Sequence, residues 1–548
     1  MKFRLPVFLL IAASAFVSKE AAAQGEFSGN FQSNTQFYLR DDRIGANTTQ
    51  YLREKSSADA WLYMNYKIKG FSLIARYDVF NNSPLLNPQA AYTNSGLGFW
   101  SVKKQIDKLT ITGGYFYDQF GSGTIFRAFE DRLIGIDYAV RGAHVHLQIN
   151  DKWFLKAFTG QQKGYLDLDG TDTRFNVSPQ VVKGINSERR FEFGKYSLDL
   201  GISGVNRTLD SRTVNSLVNE INALPLEKRF STYSNTYLGG VYYTLNLGRF
   251  AWMSEFVYKT KEALRDQLDQ SDLYGSDGKV FMSSLSYSQK GLGINVQYKR
   301  VDNYQFRNSP NSQQLNGLIA YLPTNTRQNV YRLLARYTPV VQNRGENAYQ
   351  ADIQFTPKKW KKWNFNLNYS YIETLQKSKL YEEYYIEANY KISKKWKAAL
   401  GFQSIFYSQA IYQLNPNAPD VKAYTPFTEV TYKINTRQSI RFEAQYMSTK
   451  MDLGSFVNAL VEFNVAPHWS FSIGDMVNTD PVRTPETPQQ AISKEQIHYY
   501  NVFASYTHKT TRFTANYLKQ VQGVNCTGGI CRVEPAFSGF RLGLTTNF

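Results

Sequence analysis

Cysteine and histidine are scarce in this chain, with two and five residues respectively in 548. A thiolate or imidazole metal centre therefore has little to draw on. His144 and His146 share one face of a strand pattern, yet two ligands without a carboxylate or thiol beside them make a poor metal pair. Beyond Val17 no apolar run reaches the roughly 20 residues that a membrane-spanning helix needs. No Pro/Gly/Ser-rich linker or composition break divides the chain, which argues against a string of soluble domains. Gly121-Ser122-Gly123 is followed by no lysine at phosphate-loop spacing and by no helix pattern. No local Ser/His or Asp/His motif stands out as nucleophile and base. No catalytic residue, cofactor, metal or enzymatic activity is expected. Acidic residues are also in the minority: 45 Asp and Glu face 63 Lys and Arg, a formal net charge of +18.

What is present begins with an export signal. Lys2 and Arg4 precede an apolar run from Leu5 to Val17, and Ala21-Ala22-Ala23 then leads to Gln24. This is the plan of a secretory signal peptide cut after Ala23. The expected organisation is a leader over 1–23 and one domain over 24–548. Without the leader, 60 basic residues remain against 44 acidic ones. Export removes nucleic acid from the expected partners. Much of the excess sits in short turns, at Lys103-Lys104, Lys358-Lys359, Lys361-Lys362 and Lys394-Lys395. Those turns would form a basic rim for lipid phosphates or an acidic periplasmic partner.

Aromatic residues make up 15% of the chain, with 39 Tyr and 37 Phe, while mean hydropathy is −0.44. A bilayer-spanning β-barrel needs that combination: an apolar outer band, aromatic girdles and a polar interior. Period-two alternation recurs along the chain. Leu292, Ile294, Val296 and Tyr298 alternate with Gly293, Asn295, Gln297 and Lys299; Trp363, Phe365, Leu367, Tyr369 and Tyr371 alternate with Asn364, Asn366, Asn368 and Ser370. Such patterns argue strand rather than helix, at about the nine to eleven residues a tilted spanning strand requires. Short connections such as Lys290-Gly291 and Asn435-Thr436-Arg437 alternate with long polar ones, among them Glu262–Gly278, Asp302–Gln328 and Gln409–Ala423. The expected fold is all-β: a transmembrane, antiparallel up-and-down barrel of about 24 strands (20–26), with short periplasmic turns and long extracellular loops. Val330 to Phe355 holds one strand too many for that count.

If the apolar parity faces lipid, the other parity lines the lumen. There it places Arg76, Asp78, Glu255, Lys299, Arg332, Arg336, Asp352, Glu387, Arg441, Glu443, Glu462 and Arg541. A lipid-facing Arg or Lys at mid-membrane would cost about 2–4 kcal/mol, which supports the assignment. Such charges set solute preference in a channel or brace the wall as a salt-bridge ladder. Residues 118–142 are too apolar for a solvated loop, holding Phe126, Phe129, Leu133, Ile134 and Ile136, and they carry Arg127, Glu130, Asp131, Arg132, Asp137 and Arg141 as well. That mixture fits a constriction loop folded into the lumen, or equally a packed cap on the rim. Cys526 and Cys531, in an exported chain, suggest a disulfide stapling the last loop.

Two resemblances follow from these residues. Phe540, Leu542, Leu544, Thr546 and Phe548 on one parity, ending the chain on Phe548, resemble the C-terminal signal of outer-membrane barrels, which implies recognition by the barrel-assembly machinery. Arg127-Ala128-Phe129-Glu130-Asp131-Arg132, Gly135-Ile136-Asp137, Arg141-Gly142 and the Cys526–Cys531 loop resemble a Bacteroidota-type outer-membrane barrel family of unknown function. The resemblance implies a fold and a location in the outer membrane of a Gram-negative bacterium, in contact with its lipid, and no activity. The resulting expectation is a porin-like channel for passive passage of small hydrophilic solutes. The alternative is a barrel scaffold docking a surface lipoprotein or a periplasmic partner.

Overall fold

The computed structural model describes residues 25–88, 91–166, 171–265, 273–312, 315–481, 495–527 and 530–548, with backbone alone for 524–527 and 530–533. The leader and its cut after Ala23 lie outside the described residues.

Twenty-four strands form one antiparallel sheet. The first, β1 (Glu26–Tyr38), pairs with β2 (Ser56–Ile68) on one side and with the last, β30 (Phe537–Asn547), on the other. The sheet therefore closes on itself and leaves no unpaired edge. Every other neighbour in the ring is a hairpin partner.

Side-chain parity gives the ring its two faces. Phe540 and Leu542 on β30 are each 45% exposed outward, and Phe548 is 55% exposed. Val296, Leu367, Phe442 and Tyr446, on the parity assigned to lipid, are likewise exposed. At the seam Phe548 donates its N–H to the Gly29 carbonyl (3.0 Å) and accepts from the Gly29 N–H (2.7 Å). A Cβ on Gly29 would stand 2.4 Å from the Phe548 ring. Only a residue without a side chain lets the terminal aromatic lie flat there.

The two-residue turns between wall strands all lie at one end of the barrel and the longest connections at the other, although 374–378 at that end is shorter than 356–362 at the first. Strand length departs from expectation: β12 (Val177–Phe193) and β16 (Leu273–Gln289) each have 17 residues. With β15 (Phe250–Arg265) they run on past the common wall, so the loop expected over Glu262–Gly278 is mostly strand. The loop between β13 (Tyr196–Thr208) and β14 (Asn235–Leu247) holds a helix, Ser211–Ala223, whose first turn is capped by the Asp210 carboxylate. Its buried Leu217 and Ile221 pack on Leu209, Ala263 and Leu273. The surplus strand in Val330–Phe355 resolves into one strand, β18 (Gly345–Phe355), preceded by a single long connection over 303–344 from β17 (Leu292–Asp302).

Candidate functional site: the lumen and its inserted loops

Between β5 (Leu109–Phe116) and β10 (Val140–Asn150) the chain does not cross the rim but turns inward. It makes two miniature hairpins: β6 (Asp118–Phe120) with β7 (Phe126–Ala128), and β8 (Glu130–Asp131) with β9 (Ile136–Asp137). Gly121 (φ 52°) and Gly123 (φ 96°) form the first tip in a left-handed backbone that other residues rarely adopt. The tip abuts the wall, where the Glu255 carboxylate accepts the Ser122 N–H at 3.0 Å. Phe120, Ile125 and Phe126 are buried against Phe158, Val182, Val205, Leu238 and Val257. These wall residues stand on the lumen parity. The lumen face is thus apolar where the first miniature hairpin packs, contrary to a uniformly polar interior.

The second miniature hairpin is fastened by charge. Arg76 on β3 (Phe71–Ser83) reaches Asp78 at 2.6 Å, Glu130 at 2.7 Å and Asp137 at 2.6 Å. Lys163 meets Asp137 at 2.7 Å, and Arg174 lies 3.9 Å from the same carboxylate. Arg76, Asp78, Asp137 and Lys163 are all essentially inaccessible to solvent. With Arg132, which meets Glu130 at 2.6 Å, four cations face three anions, so each buried charge has the partner its desolvation demands. Burial alone would raise the Asp137 pKa, but Lys163, Arg76 and Arg174 outweigh it and hold the carboxyl well below the usual range. Arg132 extends past this cluster to Asn30 on the β1 wall (3.2 Å).

The 303–344 connection is the second inserted loop. Tyr304 donates its hydroxyl to the Thr124 carbonyl (2.8 Å), and the Arg127 N–H meets the Ile319 carbonyl (2.8 Å). The Arg127 guanidinium is held over Phe129 (4.4 Å) and Tyr321 (4.2 Å), a paired cation–π clamp. The loop then crosses to the far wall. Arg327 covers the Tyr385 ring at 4.0 Å and Leu333 N–H reaches Gln445 at 2.8 Å. Arg336 pairs with Asp452 at 2.8 Å, and Arg332 points to the Tyr499 carbonyl. Arg332 and Arg336 therefore enter the lumen on a loop and not on the wall. Their alternation with Leu334 imitates a strand because a loop buried in a barrel also has a packed and a polar side. Arg141 is corrected the other way: it lies on wall strand β10, opposite in parity to His144, since pairing of β10 with β5 begins at Val140 and Phe116.

Together the two loops occupy the half of the lumen nearer the long connections. There the wall residues Arg76, Asp78, Lys299 and Glu383 are buried. Lys299 bonds Glu346 at 2.9 Å. Towards the short turns lie Asp352, Arg441 and Glu462, which are half-buried, and Glu387 and Glu443, which are buried. Asp352 accepts from Asn368 at 2.8 Å; Glu387 accepts from the Tyr385 hydroxyl at 2.6 Å. Arg441 bridges Glu429, Glu443 and Glu462 at 3.0–3.1 Å. Glu429, on β22 (Val421–Lys433), belongs to this group although the sequence reading left it out; its parity with Phe427 and Thr425 was the available signal.

An unfilled sector lies at the seam. Where β27 (Thr511–Gln520), β30, β1 and β2 meet, a cavity of about 370 Å³ separates wall from inserted loop. Asn34, Gly543 and Thr514 share one level across the seam, and with Gln36, Asn516 and Arg541 they line the cavity from the wall. Arg132 and Leu133 line it from the loop, and Gln50, Pro84 and Pro535 bound its upper end.

The histidine pair is less isolated than its sequence implies: Asp118 lies 2.9 Å from His144. The same carboxylate already holds Lys156 at 2.6 Å. Among the described residues no three His, Cys, Asp or Glu are placed to hold a metal. Cys526 and Cys531 face each other in the register of β28 (Gly523–Thr527) and β29 (Ile530–Glu534). Their side chains, and so the disulfide, lie outside the described residues.

The profile of a family of unknown function, DUF6029, matches residues 1–548. The chain belongs to that family. No curated protein matches it. Among solved structures, this DUF6029 chain is similar to the P pilus usher PapC translocation pore, with 10% identity, a TM-score of 0.41 and coverage of 95% of this chain and 99% of that one. It is similar to the ferric-catecholate import receptor Fiu of E. coli K12, with 8% identity, a TM-score of 0.41 and coverage of 95% and 81%. A BenF-like porin from Pseudomonas fluorescens Pf-5 shares 10% identity at a TM-score of 0.35 over 80% and 97%. Likeness at this level carries no cargo, ligand or partner over to the DUF6029 chain.

Proposed function

We propose that this chain is an outer-membrane, porin-like channel through which small hydrophilic solutes pass passively. The closed ring with an exposed apolar exterior supports placement in a bilayer, because only barrels and helices satisfy the backbone there. The leader expected at 1–23 and the terminal Phe548 support export and recognition by the barrel-assembly machinery. The motif resemblance supports an origin among the Bacteroidota.

The observation that carries the channel reading is the unfilled sector at the seam. Its amide and hydroxyl wall can exchange hydrogen bonds with a hydrated solute, and its off-centre position makes the route much narrower than the ring. The test is single-channel conductance in planar bilayers. The wild type gives small, steady steps; Thr514→Trp, which puts a large side chain into the cavity, reduces them several-fold; and deletion of residues 120–132 enlarges them. Silence from folded wild type and from the deletion would overturn the proposal.

The filled half of the lumen favours a second reading, a scaffold that docks a surface lipoprotein or periplasmic protein without transport. It requires that wild type be silent, that the deletion conduct, and that a partner co-purify from cross-linked envelopes.

A further inference from the structure

The short-turn rim is not evenly charged. The turn between β18 and β19 (Trp363–Glu373) reads Thr356-Pro357-Lys358-Lys359-Trp360-Lys361-Lys362. The next turn, between β20 (Lys379–Tyr390) and β21 (Trp396–Tyr407), contributes Lys391, Lys394 and Lys395. The third follows β22 and ends on Arg437. No Asp or Glu occurs in the three turns. All of their basic side chains are exposed. They are neighbours in space as well, because Lys391 N–H bonds the Lys362 carbonyl (2.9 Å) and Lys433 N–H bonds the Lys395 carbonyl (2.8 Å).

Elsewhere on this rim part of the positive charge is answered, and the unpaired lysines come at most in pairs, as at Lys103-Lys104. Lys67 pairs with Glu26, Lys152 with Glu192 and Arg190 with Asp199. None of the lysines in the three turns has an ion-pair partner among the described residues, although like charges crowded together repel. A ligand that supplies negative charge would relieve them.

The position of the patch selects that ligand. Directly above it on the outer wall, Trp363 stacks on Tyr390 (4.3 Å) and Trp396 on Tyr432 (4.3 Å). Ile392, Ile434 and Trp396 are exposed at the strand ends. Trp360, in the middle of the four lysines, is 63% exposed. Indole and phenol rings collect at the headgroup level of a bilayer, and basic residues beside them attract anionic lipid. A soluble acidic protein would leave the apolar members of the patch without a partner.

We infer that this sector of the rim is a binding surface for anionic phospholipid headgroups, with Lys358, Lys359, Lys361 and Lys362 holding phosphate and Trp360 seated at the interface. The inference rests on the bilayer placement proposed above and does not depend on whether the lumen conducts. The test reconstitutes full-length protein into nanodiscs of phosphatidylcholine with or without phosphatidylglycerol, releases it into detergent, and counts retained lipid by native mass spectrometry. Wild type keeps phosphatidylglycerol in preference to phosphatidylcholine. The variant with all four lysines changed to Gln loses at least about tenfold of that preference, while remaining a heat-modifiable folded barrel on gels. A W360F variant loses part of the fluorescence that brominated phospholipid quenches, the remainder coming from the wall tryptophans Trp363 and Trp396. Equal retention of both lipids by wild type, or unchanged preference in the lysine variant, would overturn the inference alone. Failure to enter either bilayer would overturn the placement with it. Tight capture of an acidic soluble protein without lipid preference would overturn it in favour of protein docking.

Discussion

Asp137 carries more than its own charge. Replacing it with Asn leaves Arg76, Lys163 and Arg174 facing only Asp78 and Glu130 in a site closed to water. Breaking a buried ionic cluster in this way costs about 3–5 kcal/mol. The expected result for Asp137→Asn is release of the 117–139 loop, seen as larger and noisier conductance and as new proteolytic cleavage inside the loop. Asp131→Asn serves as the control, because Asp131 accepts only the Leu133 N–H and should leave both readouts unchanged. The direction of the Asp137 shift fixes its pH dependence. A carboxyl held below its ordinary value contributes stability that is complete above that value and lost only as pH falls through the lowered one. Lowering the pH from 7 to about 4, near the ordinary Asp value, therefore does not unlatch the loop through Asp137, and conductance events from this source stay unchanged over that range. At the seam, Gly29→Leu collides with the Phe548 ring, and the folded, heat-modifiable fraction falls. Adding Phe548→Ala to Gly29→Leu should cost less than the two changes apart, since truncating the ring removes the clash that the new side chain creates.

The strands were legible because a wall with lipid outside and water or protein inside forces a period of two on each spanning segment. That rule recovered the seam strands, the short turns and the strand count. It failed where the inside is protein. Val182, Val205, Val257 and Val301 break the polar parity because they receive Phe120, Phe126 and the 303–344 loop. Read in advance, apolar residues on the lumen parity in neighbouring hairpins would have marked the docking ground of a plug. The loop from 303 to 344 hid for a related reason: Arg332, Leu334 and Arg336 obey the same alternation while belonging to no ladder. The charges at Arg76, Asp78 and Asp137 were visible one by one. Their convergence with Lys163, from β3, β9 and β11 (Trp153–Lys163), was not, since three separate sequence segments meet only through the ring. The helix Ser211–Ala223 gives a prediction at this scale. Asp210→Ala removes its cap at a cost of about 1 kcal/mol. Faster amide exchange confined to 211–223 should follow, with conductance unaffected because the helix packs on strand ends beyond the lumen.

At the scale of the whole barrel, the half of the lumen nearer the short turns is electrically lopsided. Between β18 and β24 (Ser455–Val465) the wall presents Asp352, Glu387, Glu429, Glu443 and Glu462 against Arg441, with Arg327 of the inserted loop 3.6 Å from Glu387. A vestibule with that excess draws cations. The reversal potential in a salt gradient should show a mild cation preference that shrinks in a Glu429→Gln, Glu462→Gln variant. The preference should also fade at 1 M salt, where the screening length falls to about 3 Å; an anion preference in wild type would contradict it.

The place of the unfilled sector orders events in time. Both inserted loops come from hairpins that precede β19, whereas the open sector lies where the final strand meets the first. The second loop finds partners at Asp452 and Tyr499, on segments that follow it in the chain, and the ring closes only when β30 is seated between β27 and β1. In the channel proposed above, the passage is therefore created by the same step that closes the ring.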